Sequence, residues 1–405
     1  MHVQRYLVPS ILILAVAQYI LQWRFSMLIN RNMEVLPLHL ASFSGFVEHD
    51  IRLLDTNKHA WREGCAINFY GLPRAFHLVL PSIIKHVIEP NQVHHCDFFV
   101  HFYNQTTEVA GRSGGGGIFK ADDILDLRMA LQQVRQHQSP SVRSRPTPEQ
   151  VIQFASDTNT SFYQSHENIV REILTARDET DTRPLYFPWL ERDYDAAPMD
   201  GKNTVLNIIK LWHSVDRAWN LMEEYGEINR VNYTRVAMLR SDVVFLTPFD
   251  IWDMGVPDSI DTNNTRVVIP SFARYPVNDR AIYGSAIGVR IWSTSRFDGL
   301  ARHVEYFRGS GYVMHHERFV DATLLPDIRQ RGIDVIEHPS FCFCRARSNN
   351  RVWINDCTKG NASPSLKKMF PDASSLLQAV DVAVNRTCKG IRKENTSEAL
   401  SVLCD

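Results

Sequence analysis

Residues 240–242 read Arg-Ser-Asp and stand between two apolar runs, in the stretch MLRSDVVFLTPFDIW at 238–252. A charge left without company at the end of a buried strand costs several kcal/mol, on the order of 2–7 for a lone polar group. In an open α/β sheet, ligands bind beyond the carboxyl ends of the strands, so Asp242 is expected at that rim, where solvent, a cation or a phosphate can meet it. A carboxylate there suits Mg2+ or Mn2+, which bind through one or two protein carboxylates and substrate phosphates. The spacing equally suits a surface pair of Arg240 with Asp242, or a turn-forming Asp. Other guanidiniums that an anion can use are Arg74, at a predicted helix start whose backbone N–H groups favour negative charge, and Arg345 with Arg347. Two apart on an extended segment, that last pair faces one side, unless both are simply solvated.

These side chains matter only if the chain delivers them to one place. CAINFYGLPRAFHLVLPSIIKHVIEP (65–90) predicts a short strand over Cys65–Tyr70, a tight turn at Gly71 and a helix from Pro73, bent or restarted at Pro81. A second strand follows at 96–104, completing a βαβ unit and implying a parallel sheet. Breaker-rich GRSGGGG and QHQSPSVRSRPTPEQ lie in 108–200, a region expected to be an insertion or variable region with weaker helices near 120–136 and 164–177. The glycine run lacks the Lys-Ser/Thr of a phosphate loop. From 203, Val205, Ile208, Ile209, Trp212, Val215, Trp219 and Met222 recur at helical spacing, with the tryptophans expected in packing. Then come strand 235–239, strand 266–272, a loop over 273–285, helices near 289–308 and 315–327, and a strand at 332–338. Alternating elements predict a Rossmann-type α/β/α sandwich with a mainly parallel central sheet.

The chain has 405 residues, 44% apolar and 22% charged, with a formal net charge of −1. That balance speaks against a broad nucleic-acid surface. Residues 6–23 carry no charge; as a helix they reach about 27 Å, enough for a membrane anchor. A cleaved signal peptide ending at Ala17 is the competing reading. Seven sequons, at Asn104, Asn159, Asn232, Asn263, Asn361, Asn385 and Asn395, suit a secretory lumen. So do seven cysteines, an odd number that leaves at least one outside any intramolecular bridge. Cys357, Cys388 and Cys404, with Cys342 or Cys344, can staple the C-terminal region, and no zinc-spaced cysteine set is present.

Together, CAINFYGLPRAF, CDFFVHFYN, MLRSDVVF, VVIPSFARYPVNDRAIYGS, HHERFVDATLL and FCFCRARSNNRVWINDC resemble a group of secretory-pathway proteins similar to GT-A glycosyltransferases, over residues 62–357 without the insertion. The resemblance implies a nucleotide-sugar donor, a glycan, protein or lipid acceptor, and a single-pass type II protein of the Golgi membrane. It implies a cytosolic tail at 1–5, an anchor at 6–23, a stem at 24–60, a GT-A-like catalytic domain at 61–357 and a C-terminal tail at 358–405. It also implies that an Asp-x-Asp-like motif holds Mn2+ or Mg2+, of which Arg240-Ser241-Asp242 keeps only the last acid, so that Arg240 meets phosphate directly. Donor contacts then fall to Gly71, Arg74, Arg240, Asp242, Arg345 and Arg347. Asp279, in a Pro-flanked loop with Asn278 and Arg280, and Glu317, at a helix start, are the candidates for sugar contact or acid–base catalysis. As a first-turn Glu, Glu317 also suits a helix-dipole role. His315 and His316 read as surface or capping residues, and Asp356 as orienting Arg345 or ending a strand. Two functions follow: lumenal sugar transfer, or a non-catalytic lumenal carbohydrate-binding protein on the same fold. No His-Glu-x-x-His is present to favour a metal-dependent hydrolase.

Overall fold

In the computed structural model, residues 61–108, 116–136, 150–175, 198–255, 265–307, 314–393 and 400–405 are described. The expected tail, anchor and stem lie outside them, as do Asn263 and Asn395. Among the described residues no helix is long and apolar enough to cross a membrane.

The apolar run after Cys65 becomes β1 (Arg62–Gly71), buried from Cys65 onward. Parallel to it lies β2 (Asp97–Tyr103), wholly buried, with Phe69 opposite Val100. A continuous apolar run is what a parallel strand covered on both faces requires. β2 pairs in turn with β3 (Ile152–Asp157). This third strand lies inside the stretch expected to be an insertion, so part of that stretch is core architecture. Its sequence, IQFASD, has too little apolar character to announce a strand, because it sits at the sheet edge and is only half-buried.

On the other side of β1 lies β4 (Val231–Arg240), parallel, with Tyr70 opposite Arg240. β5 (Val243–Phe245) leaves the sheet, and β6 (Arg266–Pro270) and β7 (Ala281–Ser285) return to it. β7 is antiparallel to both β4 and β6, while β8 (Asp334–His338) runs parallel to β6. The order is β3-β2-β1-β4-β7-β6-β8. β7 occupies the end of the segment expected as a loop, and position 284 admits only glycine: φ is +126° and a Cβ would stand 2.4 Å from the Arg266 carbonyl oxygen.

Side-chain alternation divides the core in two. Ile67, Phe69, Phe98, Val100, Phe102, Ala237 and Leu239 face one layer, with α1 (Phe76–Ile83) and α10 (Ala373–Val384). Ala66, Tyr70, Phe99, Tyr103, Val236 and Met238 face the other, against α5 (Pro198–Asn229) with its buried Trp212, Val215 and Trp219. Between α1 and α5 in the chain come α2 (Asp126–Gln136), α3 (Asn159–Ser165) and α4 (Glu167–Thr175). After β7 come α6 (Ala286–Thr294), α7 (Arg296–Phe307) and α8 (His316–Phe319), and α9 (Pro364–Met369) precedes α10.

Two details differ from expectation. Pro73 lies before the helix, whose N-cap is Ala75 at φ 45°, and the restart after Pro81 is a π-helical turn over Ile84–Ile88. Residues 358–393 and 400–405 are integral to the domain: Leu366, Leu376, Val380 and Val402 belong to the first core. There β11 (Cys388–Lys393), β12 (Leu400–Cys404) and β10 (Arg351–Trp353) form a small antiparallel sheet.

Candidate active site

The strand order reverses between β1 and β4, and in open α/β sheets the crevice at such a switch point is where ligands bind. β1 ends there at Gly71, whose φ of +103° is open to glycine and strained for other residues. Its N–H donates to Ser214 Oγ of α5 at 2.9 Å. Beside it the Ser241 N–H and Oγ both bond the Tyr70 carbonyl, at 3.0 and 3.2 Å, so the Arg-Ser-Asp corner is pinned to the end of β1. β5 then pairs antiparallel with β9 (Phe343–Arg345), Val243 opposite Arg345, and the Ala346 N–H donates to the Asp242 carbonyl at 2.8 Å. This pairing carries Arg345 and Arg347 to the corner from a hundred residues away in the chain.

Asp242 is nearly buried. Its Oδ1 accepts from Arg240 Nε at 2.7 Å, and its Oδ2 from Arg240 Nη2 at 2.7 Å and Arg74 Nη1 at 2.6 Å. Arg347 Nη1 stands 4.0 Å away. Burial alone raises a carboxyl pKa, but Arg240 and Arg74 outweigh it and hold Asp242 well below the usual carboxylate range. Arg74 also forks onto Glu108, its Nε 2.7 Å from Oε2. Three guanidiniums thus share two carboxylates, and Arg347 has none of its own. Its Nε and Nη2 are buried without a hydrogen-bond partner. Burial and the neighbouring Arg345 and Arg74 push its pKa well down.

Arg345 is held bidentate by Asp356, at 2.7 and 2.8 Å, which settles Asp356 as the residue that orients it. Both Arg345 and Arg347 lie against the Trp353 ring, 4.4 and 4.6 Å from its centroid. The Cys342–Cys357 disulfide ties the start of β9 to the turn bearing Asp356. Arg280 Nη1, 3.8 Å from Asp356, has no hydrogen bond, and the Arg280 carbonyl accepts from Tyr70 Oη at 2.9 Å.

Asp279 is buried and paired with His316 Nδ1. His316 Nε2 in turn accepts from Arg296 Nη1 at 2.6 Å, which assigns the Nδ1–H tautomer. Arg296 lies over the Trp292 ring, with its Nε and Nη2 unpartnered. His316 is therefore no surface cap. Glu317 pairs with His315 Nδ1 at 2.8 Å and remains partly exposed.

All six residues expected to contact a donor therefore gather at the switch point, with Asp279 alongside. The expected Mn2+ or Mg2+ does not fit at Asp242: both oxygens already accept from guanidiniums, and a divalent cation would lie among three like charges. The physical reason is the Arg at 240, which takes the place of a second acid and folds back on Asp242. Sequence reasoning missed Glu108, Trp353 and Arg296, although Trp353 lies in the same stretch as Arg345, Arg347 and Asp356. It also missed a second group, His101, Asp157 and His213, whose ligand atoms lie within 4.8 Å of one another and can hold a metal ion. Asn104, Asn159, Asn232, Asn361 and Asn385 are all exposed.

No protein-family model matches this chain, and no curated protein matches it. Among solved structures, the apo form of mouse xyloside xylosyltransferase 1 aligns with 67% of this chain and 84% of its own, at 8% identity and a TM-score of 0.31. A match of that size does not bear on what this chain does.

Proposed function

We propose that this chain transfers a sugar from a nucleotide-diphosphate donor to a hydroxyl of a glycan, protein or lipid in the secretory lumen, with the diphosphate held by arginines. The observation that carries the reading is Arg347: a buried guanidinium with Nε and Nη2 unused, beside Arg74 and Arg240, at the sheet's switch point. Buried cationic donors without partners call for an anion, and a diphosphate supplies several acceptor oxygens at once. In the transfer the bond from the anomeric carbon to the phosphate oxygen breaks and a bond to the acceptor oxygen forms. The electron pair left on the diphosphate is stabilised by Arg74, Arg240, Arg345 and Arg347. Glu317, the more exposed of the two candidate acids, would take the acceptor proton. Asp279, held ionised by His316 and nearby arginines despite burial, would orient sugar hydroxyls. An N-terminal anchor at 6–23 and a Golgi location belong to the same proposal, and the three disulfides fit an oxidising compartment.

A thermal-shift panel of nucleoside diphosphates, with and without Mn2+, tests the reading. One nucleotide should raise the midpoint without added metal, and Arg347→Ala should weaken that nucleotide about 10- to 100-fold, the worth of one or two charged hydrogen bonds. Slow release of free sugar from the matching nucleotide-sugar should follow. Binding of free glycans with no nucleotide effect would leave only the carbohydrate-binding alternative.

A further inference from the structure

We infer that His101, Asp157 and His213 form a divalent transition-metal site, separate from the arginine cluster, and that its ion is Zn2+. β2 carries His101 on the face toward α5, β3 ends in Asp157, and α5 carries His213 with Ser214 next to it. Both imidazole Nε2 atoms aim at the same carboxylate oxygen, Asp157 Oδ2, at 3.0 Å from His101 and 2.7 Å from His213. Two nitrogens and one oxygen converging on one point is a ligand set for zinc. Metal–ligand distances of about 2.0–2.2 Å ask each nitrogen–oxygen pair to spread by only about 0.5 Å.

The remote nitrogens are what distinguish a site from a chance cluster, because imidazoles that bind metals are oriented by a hydrogen bond at the other ring nitrogen. Here both have one. His213 Nδ1 is 2.9 Å from His166 Nε2, and His101 Nδ1 is 2.8 Å from Ser214 Oγ. That hydroxyl also accepts from the Gly71 N–H at 2.9 Å and lies 3.4 Å from the His101 carbonyl. All three contacts are used if Ser214 accepts from Gly71 and from His101 Nδ1–H while donating to the carbonyl. His101 then turns a bare Nε2 lone pair toward an anionic oxygen 3.0 Å away, a contact relieved by a bound cation or by a proton on Nε2. His101 and His213 are buried, and Asp157, with a side chain 20% exposed, leaves one side for a water or a further ligand.

The full-length chain, purified without chelator and exhaustively dialysed, should retain one zinc per chain by elemental analysis. Stripped with EDTA and titrated with Co2+, it should develop a visible d–d spectrum that saturates at one equivalent. Asp157→Asn, which keeps the side-chain shape, and His213→Gln should each abolish that spectrum while leaving the far-ultraviolet circular dichroism unchanged. No spectrum in the stripped chain, or the same spectrum in both variants, would overturn the assignment and identify the cluster as hydrogen bonds only. The readout uses no nucleotide, so its failure leaves the sugar-transfer reading untouched.

Discussion

Asp242 can stay ionised in a nearly dry setting because guanidiniums replace the water it has lost. Its folded-state pKa lies below the unfolded value, with Asp356 depressed in the same way by Arg345 and Arg280. Groups of that kind contribute stability that is fully present above about pH 4, the unfolded carboxyl range, and that is lost as pH falls through the folded values. The melting temperature should therefore hold from neutral pH down to about pH 5 on their account and fall steeply below about pH 4. Asp242→Asn takes from Arg240 its carboxylate and leaves Arg74 with Glu108 alone, a loss on the order of 3–5 kcal/mol for breaking a buried pair. In a thermal melt at neutral pH that variant should unfold well below the parent, whereas Arg347→Ala, which removes a guanidinium with unmet donors, should not. At this scale the sequence announced the participants but not their relation: Arg240 next to Asp242 looked like a rim pair, and only contacts from Arg74 made it a closed one.

Elements decide which of these residues meet. The pairing of β5 with β9 is what brings Arg345 and Arg347 to the end of β4, and it is a three-residue ladder that no periodicity reveals. β7 is a clearer case of a hidden element, since AIYGS carries only short apolar character, and its place depends on Gly284 passing close to the Arg266 backbone. Gly284→Ala puts a Cβ into that backbone at a φ of +126°, a conformation open to glycine alone. Strain of this kind costs about 1–3 kcal/mol, and the β4–β7–β6 register should loosen, as seen by faster hydrogen exchange at Val267 and Val268 than at Phe98–Val100. The long α5, by contrast, was legible from its spacing alone, because seven apolar residues at helical intervals leave no other way to bury Trp212 and Trp219.

Across the whole molecule, three disulfides close local segments: Cys65–Cys96 joins β1 to the entry of β2, Cys342–Cys357 braces the arginine strand, and Cys388–Cys404 closes the small sheet. Cys344 is the cysteine left over, buried, its thiol 3.2 Å from the Ile354 carbonyl. Replacing both Cys65 and Cys96 by Ser opens a loop of 31 residues and should cost about 2–4 kcal/mol in denaturant melts. Composition and pattern by themselves determined an α/β sandwich, an odd cysteine and the arginines and the Asp242 carboxylate that the fold gathers at one corner, because burial periodicity and charge are local properties of the chain. Tertiary structure alone decided that Asp242 is closed by guanidiniums, that residues 358–393 and 400–405 complete the core, and that His101, Asp157 and His213 meet. Those three stand 56 positions apart at each step, and only parallel strands packed on a helix bring such distant side chains to one point.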